Sequence, residues 1–120
     1  MHIFSFEKLD VWKEAIKLAV KTYHTTDFFP SEEKFGLTSQ MRRCSVSVSS
    51  NISEGTARLT SKDKAHFMTM AYSSAIELLN QTIISRELDF ISNEDYQNIR
   101  ADIESITNKI NSLRNHFLKA

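Results

Sequence analysis

The final quarter of the chain imposes the tightest constraint on its fold. Tyr96, Ile99, Ile103, Ile106, Ile110, Leu113 and Phe117 follow one another at steps of three, four, three, four, three and four residues. Only a helix lines such a ladder up in one stripe, and a stripe of this length needs other elements to bury it. Ser92-Asn93-Glu94-Asp95 marks its start, with acids placed to favour the positive end of the helix dipole. Two glycines and one proline in 120 residues leave little turn chemistry for a many-stranded sheet, so the remaining elements are expected to be helical too.

Leu9, Trp12, Ile16, Ala19 and Tyr23 form a shorter stripe of the same kind, which stops before Phe28-Phe29-Pro30 because proline cannot continue a helix already formed. Gly36 closes the following loop, and Thr38 or Ser39 is placed to cap the next helix. There, Ser45-Val46-Ser47-Val48-Ser49 alternates with the period of a strand. The wider window, Leu37, Met41, Cys44, Val48, Ile52 and Gly55, has helical spacing and decides for a helix, with Gly55 as its C-terminal stop. Serines fill much of its remaining circumference, and Val46, opposite the main stripe, suggests a second packing surface with another subunit.

Ser61-Lys62-Asp63-Lys64 reads as the start of a third helix. Phe67, Ala71, Ser74, Leu78 and Ile84 mark one face, while Met68, Met70, Tyr72, Ala75, Leu79 and Ile83 broaden it toward burial on more than one side. The spacing therefore predicts a single all-α domain over 1–120, an antiparallel up-down-up-down four-helix bundle with helices at about 7–25, 38–55, 62–88 and 93–118. A three-helix domain exchanging an arm between subunits is the alternative.

The chemistry of a catalytic centre is hard to write with these residues. Two glycines exclude a phosphate-binding or dinucleotide loop. Asp63-Lys64-Ala65-His66 is the nearest approach to a di-iron ligand pair and occurs once, so no metal or other cofactor is expected. Cys44 lies on the apolar stripe, where a buried thiol without a base is inert. No catalytic residue is assigned, and a non-enzyme is expected. No apolar run approaches the ~18 residues of a membrane span, and charges at Glu7, Lys8 and Asp10 interrupt any signal core, so the cytoplasm is the expected compartment.

Fifteen basic and fifteen acidic residues give zero formal charge, but their distribution is uneven. Residues 34–64 hold six basic groups, Lys34, Arg42, Arg43, Arg58, Lys62 and Lys64, against two acids. Such a segment is a candidate phosphate footprint; a solvated face or intrachain ion pairs would leave the same composition. Arg43, Ser47, Ser50 and Glu54 form a polar stripe beside the apolar one, so Arg43 is read as structural, with Glu54 or Glu77 as its carboxylate partner. Arg42 points about 100° away and is the better contact residue.

Several ordered blocks resemble the 23S rRNA intervening-sequence protein family. They are Phe6 with Leu9-Asp10-Val11-Trp12 and Ala15, Phe29-Pro30, and the run from Phe35-Gly36-Leu37 through Arg42-Arg43. Asn51-Ile52-Ser53-Glu54-Gly55 is the most specific, and Tyr72 to Leu78 resembles the family's Gly-Ser-x-x-Glu-Leu helix. Cys44 and Ser53 stand where Ala is usual, Ser73 replaces a Gly, and Leu88-Asp89-Phe90-Ile91 stands for a Leu-Gly-Tyr-like ending. The resemblance marks Trp12, Arg43, Asn51, Glu54, Gly55 and Glu77 as structural motif residues. It implies a helical bundle, a homopentameric ring and a connection to RNA. The accessory variability determinant of diversity-generating retroelements is similar in fold and strongly basic, whereas this chain is neutral. The expectation is a non-enzymatic oligomeric scaffold that binds RNA, or an RNA-associated protein, through the mid-chain basic residues. The alternative is a protein-interaction adaptor that touches no nucleic acid.

Overall fold

A computed structural model of the chain describes residues 1–119. Its elements are a 3-10 turn at Ser5–Lys8, helix α1 at Asp10–Thr26, a second 3-10 turn at Ser31–Glu33, and helices α2 (Leu37–Thr56), α3 (Ser61–Glu87) and α4 (Asn93–Lys119). Facing residues run in opposite order across the interfaces. Gln40, Ser47 and Thr56 of α2 meet Gln81, Ser74 and Lys64 of α3. Thr69 and Arg86 of α3 meet Arg114 and Tyr96 of α4. Glu14 and Lys21 of α1 meet Lys109 and Asp102 of α4. These are antiparallel contacts. Each helix packs against two others and faces the remaining one diagonally, so the four helices enclose one shared core.

The ladder of α4 is buried from Tyr96 to Ile110, and Leu113 and Phe117 pack at its edge. In α1 the buried stripe is Val11, Ala15, Leu18, Ala19, Thr22 and Thr26, which shares only Ala19 with the expected one: Ile16 and Tyr23 are exposed, and Leu9 and Trp12 pack at the margin of the core. Two helical ladders overlap in this segment, and the one with the smaller side chains faces inward. Its threonines can be buried because the Thr22 and Thr26 hydroxyls donate to the Leu18 and Thr22 carbonyls at 2.8 Å. The serines of α2 satisfy themselves in the same way. Ser45, Ser49 and Ser53 donate to the carbonyls of Arg42, Val46 and Ser50 three residues back.

Three of the expected helix boundaries need correction: α1 begins at Asp10 rather than at 7, because Ser5–Lys8 forms a separate 3-10 turn and Leu9 is extended. Gly55 does not stop α2; it lies inside the helix, buried, and Thr56 follows it. A Cβ there would lie 2.6 Å from Met68 Cε and 2.8 Å from Phe67 Cβ, so the glycine permits the close approach of α2 to α3. At the other end of α2 neither Thr38 nor Ser39 caps. Gly36 is the N-cap, and the Glu33 carboxylate accepts from the Leu37 N–H at 3.1 Å. Thr60, just before the expected start, caps α3 by accepting from Asp63 N–H, and Ser92 caps α4 by accepting from Asp95 N–H, each at 3.1 Å.

The end of α3 explains the Leu88-Asp89-Phe90 sequence. Asp89 is the only described non-glycine residue with positive φ, at 60°. Its N–H donates to Arg86 O at 3.0 Å, and Phe90 N–H donates to Ser85 O at 2.9 Å, the paired bonds of a helix terminus that favours glycine at the left-handed position. Phe90 is thereby turned onto Phe29, with ring centroids 5.6 Å apart. Asp89→Gly is expected to stabilise the chain by about 1 kcal/mol by relieving the left-handed strain. Urea denaturation checks this, and a lower midpoint for the variant would contradict it.

Candidate nucleic-acid interface

The fold divides the six basic residues read from the sequence into two groups. Lys34, Arg42 and Arg43 lie at and just after the start of α2, while Arg58, Lys62 and Lys64 lie at the α2–α3 turn. At 1.5 Å rise per residue, the length of α2 holds the groups some 20–25 Å apart. They are not one patch.

Arg42 and Arg43 exchange the roles the sequence suggested. Arg42 is the held residue: its guanidinium donates to Asp27 Oδ1 at 2.8 Å, to Thr26 Oγ1 at 2.9 Å and to Tyr23 O at 3.2 Å, and lies 4.7 Å from the Tyr23 ring centroid. It ties α2 to the end of α1. Arg43 is exposed and forms no ion pair with Glu54, Glu77 or any other described acid. The helix rotation estimated from the sequence was correct, but α1 covers the side that Arg42 occupies. Lys34 is exposed, its ammonium 5.5 Å from the Phe35 ring. Among the other motif residues, Trp12 packs edge-on against Phe6 at 5.0 Å, and Asn51 donates to Ser47 O at 2.9 Å. Glu54 and Glu77 are exposed.

The second group has neighbours that sequence order conceals. Antiparallel packing brings the end of α4 beside the start of α3, so Arg114 and Lys119 join Arg58, Lys62 and Lys64 at one end of the bundle. None of these five makes an ion pair with a described acid. Aromatic rings alternate with the cations: Arg58 lies 4.4 Å from the Phe67 centroid, Lys64 5.6 Å from Phe117 and Arg114 5.9 Å from Tyr72. Lys64 also donates to Thr56 O at 2.8 Å, across the turn.

Dividing each helix at its midpoint makes the polarity explicit. The half containing residues 1–18, 47–73 and 107–119 has nine basic and five acidic side chains, and the other half has six basic and ten acidic. The neutral chain is a dipole along its long axis. A linear count over 34–64 blends the two ends, so only the topology reveals which cations act together.

Other chemistry has less support in the geometry. Among the described residues no three His, Cys, Asp or Glu side chains converge as metal ligands would. Burial pushes the Cys44 thiol up to about 11, the Glu77 carboxylate adds to the rise, and a hydrogen bond with Gln81 opposes it, so the thiolate is scarce at neutral pH. Among the described residues no helix is long and apolar enough to cross a membrane.

A family model described as 23S rRNA-intervening sequence protein matches residues 7–112. The chain belongs to the 23S rRNA intervening-sequence protein family. That match spans most of α1–α4 and so includes both basic groups, except Lys119 and Arg114. A solved structure with the same fold is a protein of unknown function from the S23 ribosomal protein family of Bacteroides thetaiotaomicron. It is 23% identical, superposes with a TM-score of 0.81, and the match covers 87% of this chain and 97% of that one. No curated protein matches.

Proposed function

We propose that this member of the intervening-sequence protein family is a non-enzymatic, oligomeric RNA-binding scaffold, and that the basic end of the bundle is its RNA-facing surface. The observation behind this reading is the cluster of Arg58, Lys62, Lys64, Arg114 and Lys119, unpaired with any described acid and interleaved with Phe67, Tyr72 and Phe117. Unpaired cations neutralise phosphates with release of counterions, and aromatic faces accept stacked bases.

Assembly supports the reading because one chain offers few phosphate contacts, and several chains in a ring act on one strand together. Two apolar faces favour a head-to-tail ring. Ile16, Val20 and Tyr23 are exposed on α1, beside Val46 of α2, and Ile76 and Ile84 are exposed on α3. Because α1 and α3 are diagonal across the bundle, a contact between these different faces leaves each free to continue to the next copy. The homopentamer implied by the family resemblance is our proposed closed form. Native mass spectrometry is expected to give five chains for the wild type and monomers for Val20→Glu; a wild-type monomer would overturn the ring.

Fluorescence anisotropy with a structured RNA and with a single strand at ~50 mM salt tests the RNA reading. Saturable binding that weakens steeply as salt rises is expected. Absence of binding to both overturns the reading in favour of the adaptor.

A further inference from the structure

Between α2 and α3, at the end of the bundle away from the basic cluster, lies a polar cleft of about 450 Å³. Its deeper wall contains Cys44, Gln81 and the Ser47–Ser74 hydroxyl pair, which are hydrogen-bonded to each other at 2.8 Å, and its rim holds Phe35, Arg43 and Glu77. Two features of the cleft are unresolved within the chain. Arg43 and Glu77 face the same space without pairing with each other or with any other described charge. Gln81 is only 4% exposed, and its Oε1 has no hydrogen-bond partner, while its amide nitrogen reaches Gln40 Oε1 at 3.5 Å. A buried carbonyl oxygen left without a donor is expensive, and the Gln81 side chain lines the open cleft, so a small turn of its amide would let a ligand supply one.

The vacant donors and acceptors define a ligand. It must present N–H groups to Glu77 and Gln81 Oε1, an acceptor edge to the Arg43 fork, and a flat face to Phe35, which is 88% exposed. Guanine meets all three requirements in one planar ring. Its N1–H and N2 amine are adjacent donors, and its O6 and N7 are adjacent acceptors matched to a guanidinium. Adenine has no ring N–H on that edge, and uracil has a single one and no N7. We infer that the α2–α3 cleft receives an unpaired guanine base, with Glu77 and Gln81 reading its Watson–Crick edge, Arg43 its O6/N7 edge, and Phe35 stacking on its face. The inference rests on the RNA reading and gives it a base preference: phosphates are held at the basic end while one base is read 20–25 Å away, a span of several nucleotides. Lys34, exposed beside Phe35, is placed to meet the phosphate of the inserted nucleotide.

Labelled uridine decamers with one central guanine, adenine or inosine, titrated against the full chain, test it. The guanine strand is expected to bind about tenfold more tightly than the adenine strand, with inosine between them because it lacks the N2 amine. Glu77→Gln should reduce the guanine preference to within twofold, whereas Glu87→Gln, outside the cleft, should preserve it. Equal binding of all three decamers overturns the cleft assignment and leaves the RNA reading intact. If no decamer binds, the RNA reading fails, and guanosine monophosphate alone decides the cleft. A saturable shift of the Gln81 side-chain amide resonances supports guanine recognition, and none up to millimolar nucleotide overturns it. A shift with free glutamine but not with the nucleotide also overturns it, in favour of a zwitterion held between Glu77 and Arg43.

Discussion

Gly55→Ala is expected to destabilise the chain by about 1–3 kcal/mol, a direction opposite to that of helix propensity alone. Inside an exposed helix, replacing glycine by alanine gains about 1 kcal/mol. At Gly55 the added methyl would meet Met68 Cε at 2.6 Å and Phe67 Cβ at 2.8 Å. The end of the Met68 side chain can turn aside, although Met68 is fully buried and has little space to enter. Phe67 Cβ cannot move without its backbone, so α2 and α3 must separate along their shared interface, where Ile52 and Met68 are both packed. Gly55→Val adds two more carbons at the same point and should be worse. Thermal denaturation is expected to show a fall of roughly 4–12 °C for the alanine variant. A rise in Tm would mean that α2 and α3 do not approach each other as closely as described.

The combined charge reversal Arg58→Glu, Lys62→Glu, Lys64→Glu is expected to weaken single-strand RNA binding by two to three orders of magnitude at ~50 mM salt, the loss of about three phosphate contacts. Folding should survive it. Arg58 and Lys62 are exposed, no described acid pairs with any of the three, and the α3 cap comes from Thr60, which is unchanged. The Arg58 guanidinium does give up its contact with Phe67, worth about 0.5–1 kcal/mol at an exposed site, and the Lys64 ammonium its bond to Thr56 O, worth about 1 kcal/mol. Circular dichroism should therefore report unchanged helicity with a slightly lower Tm. Near-wild-type binding by a folded variant would remove the basic end from the account.

The fold was legible where one ladder dominated a segment. In α4, isoleucines every three or four residues leave a single inward face, and Tyr96 to Ile110 occupy it. The helical reading of Ser45 to Ser49 also held, because the wider spacing from Met41 to Ile52 outweighs five alternating residues. In α1 the bulkier ladder misled. Hydrophobicity ranks Ile16 and Tyr23 above Ala15 and Thr22, but the close packing of α1 favours small side chains, and threonine can hide its hydroxyl on its own helix. Ile16 and Tyr23 are then left facing out, on the surface proposed to meet another copy.

The site was less legible, for a different reason. Types of residue can be counted along a chain, but a phosphate-binding surface depends on which cations are neighbours. Arg58, Lys62 and Lys64 stand in the basic segment over 34–64 together with Lys34, Arg42 and Arg43, from which the fold separates them; Arg114 and Lys119, some fifty residues later, join them only through the antiparallel return of α4. Arg42 and Arg43 differ by one step of helix rotation, and their roles depend on where α1 and Asp27 lie, which no local pattern encodes. The cleft was hidden more deeply, since Gln81 was one polar residue among many until its buried oxygen proved to lack a partner.

The central claim is that the chain meets RNA through the α2–α3 turn and the end of α4. The salt dependence of binding to an all-uridine strand, which bypasses any guanine preference, tests it most directly. For the wild type the logarithm of the binding constant should fall linearly with the logarithm of salt concentration. Arg58→Ala, Lys62→Ala, Lys64→Ala together should flatten that slope by about two units, whereas Lys34→Ala with Arg43→Ala should change it by much less. A slope unchanged by the first set, or reduced more by the second, would contradict the assignment.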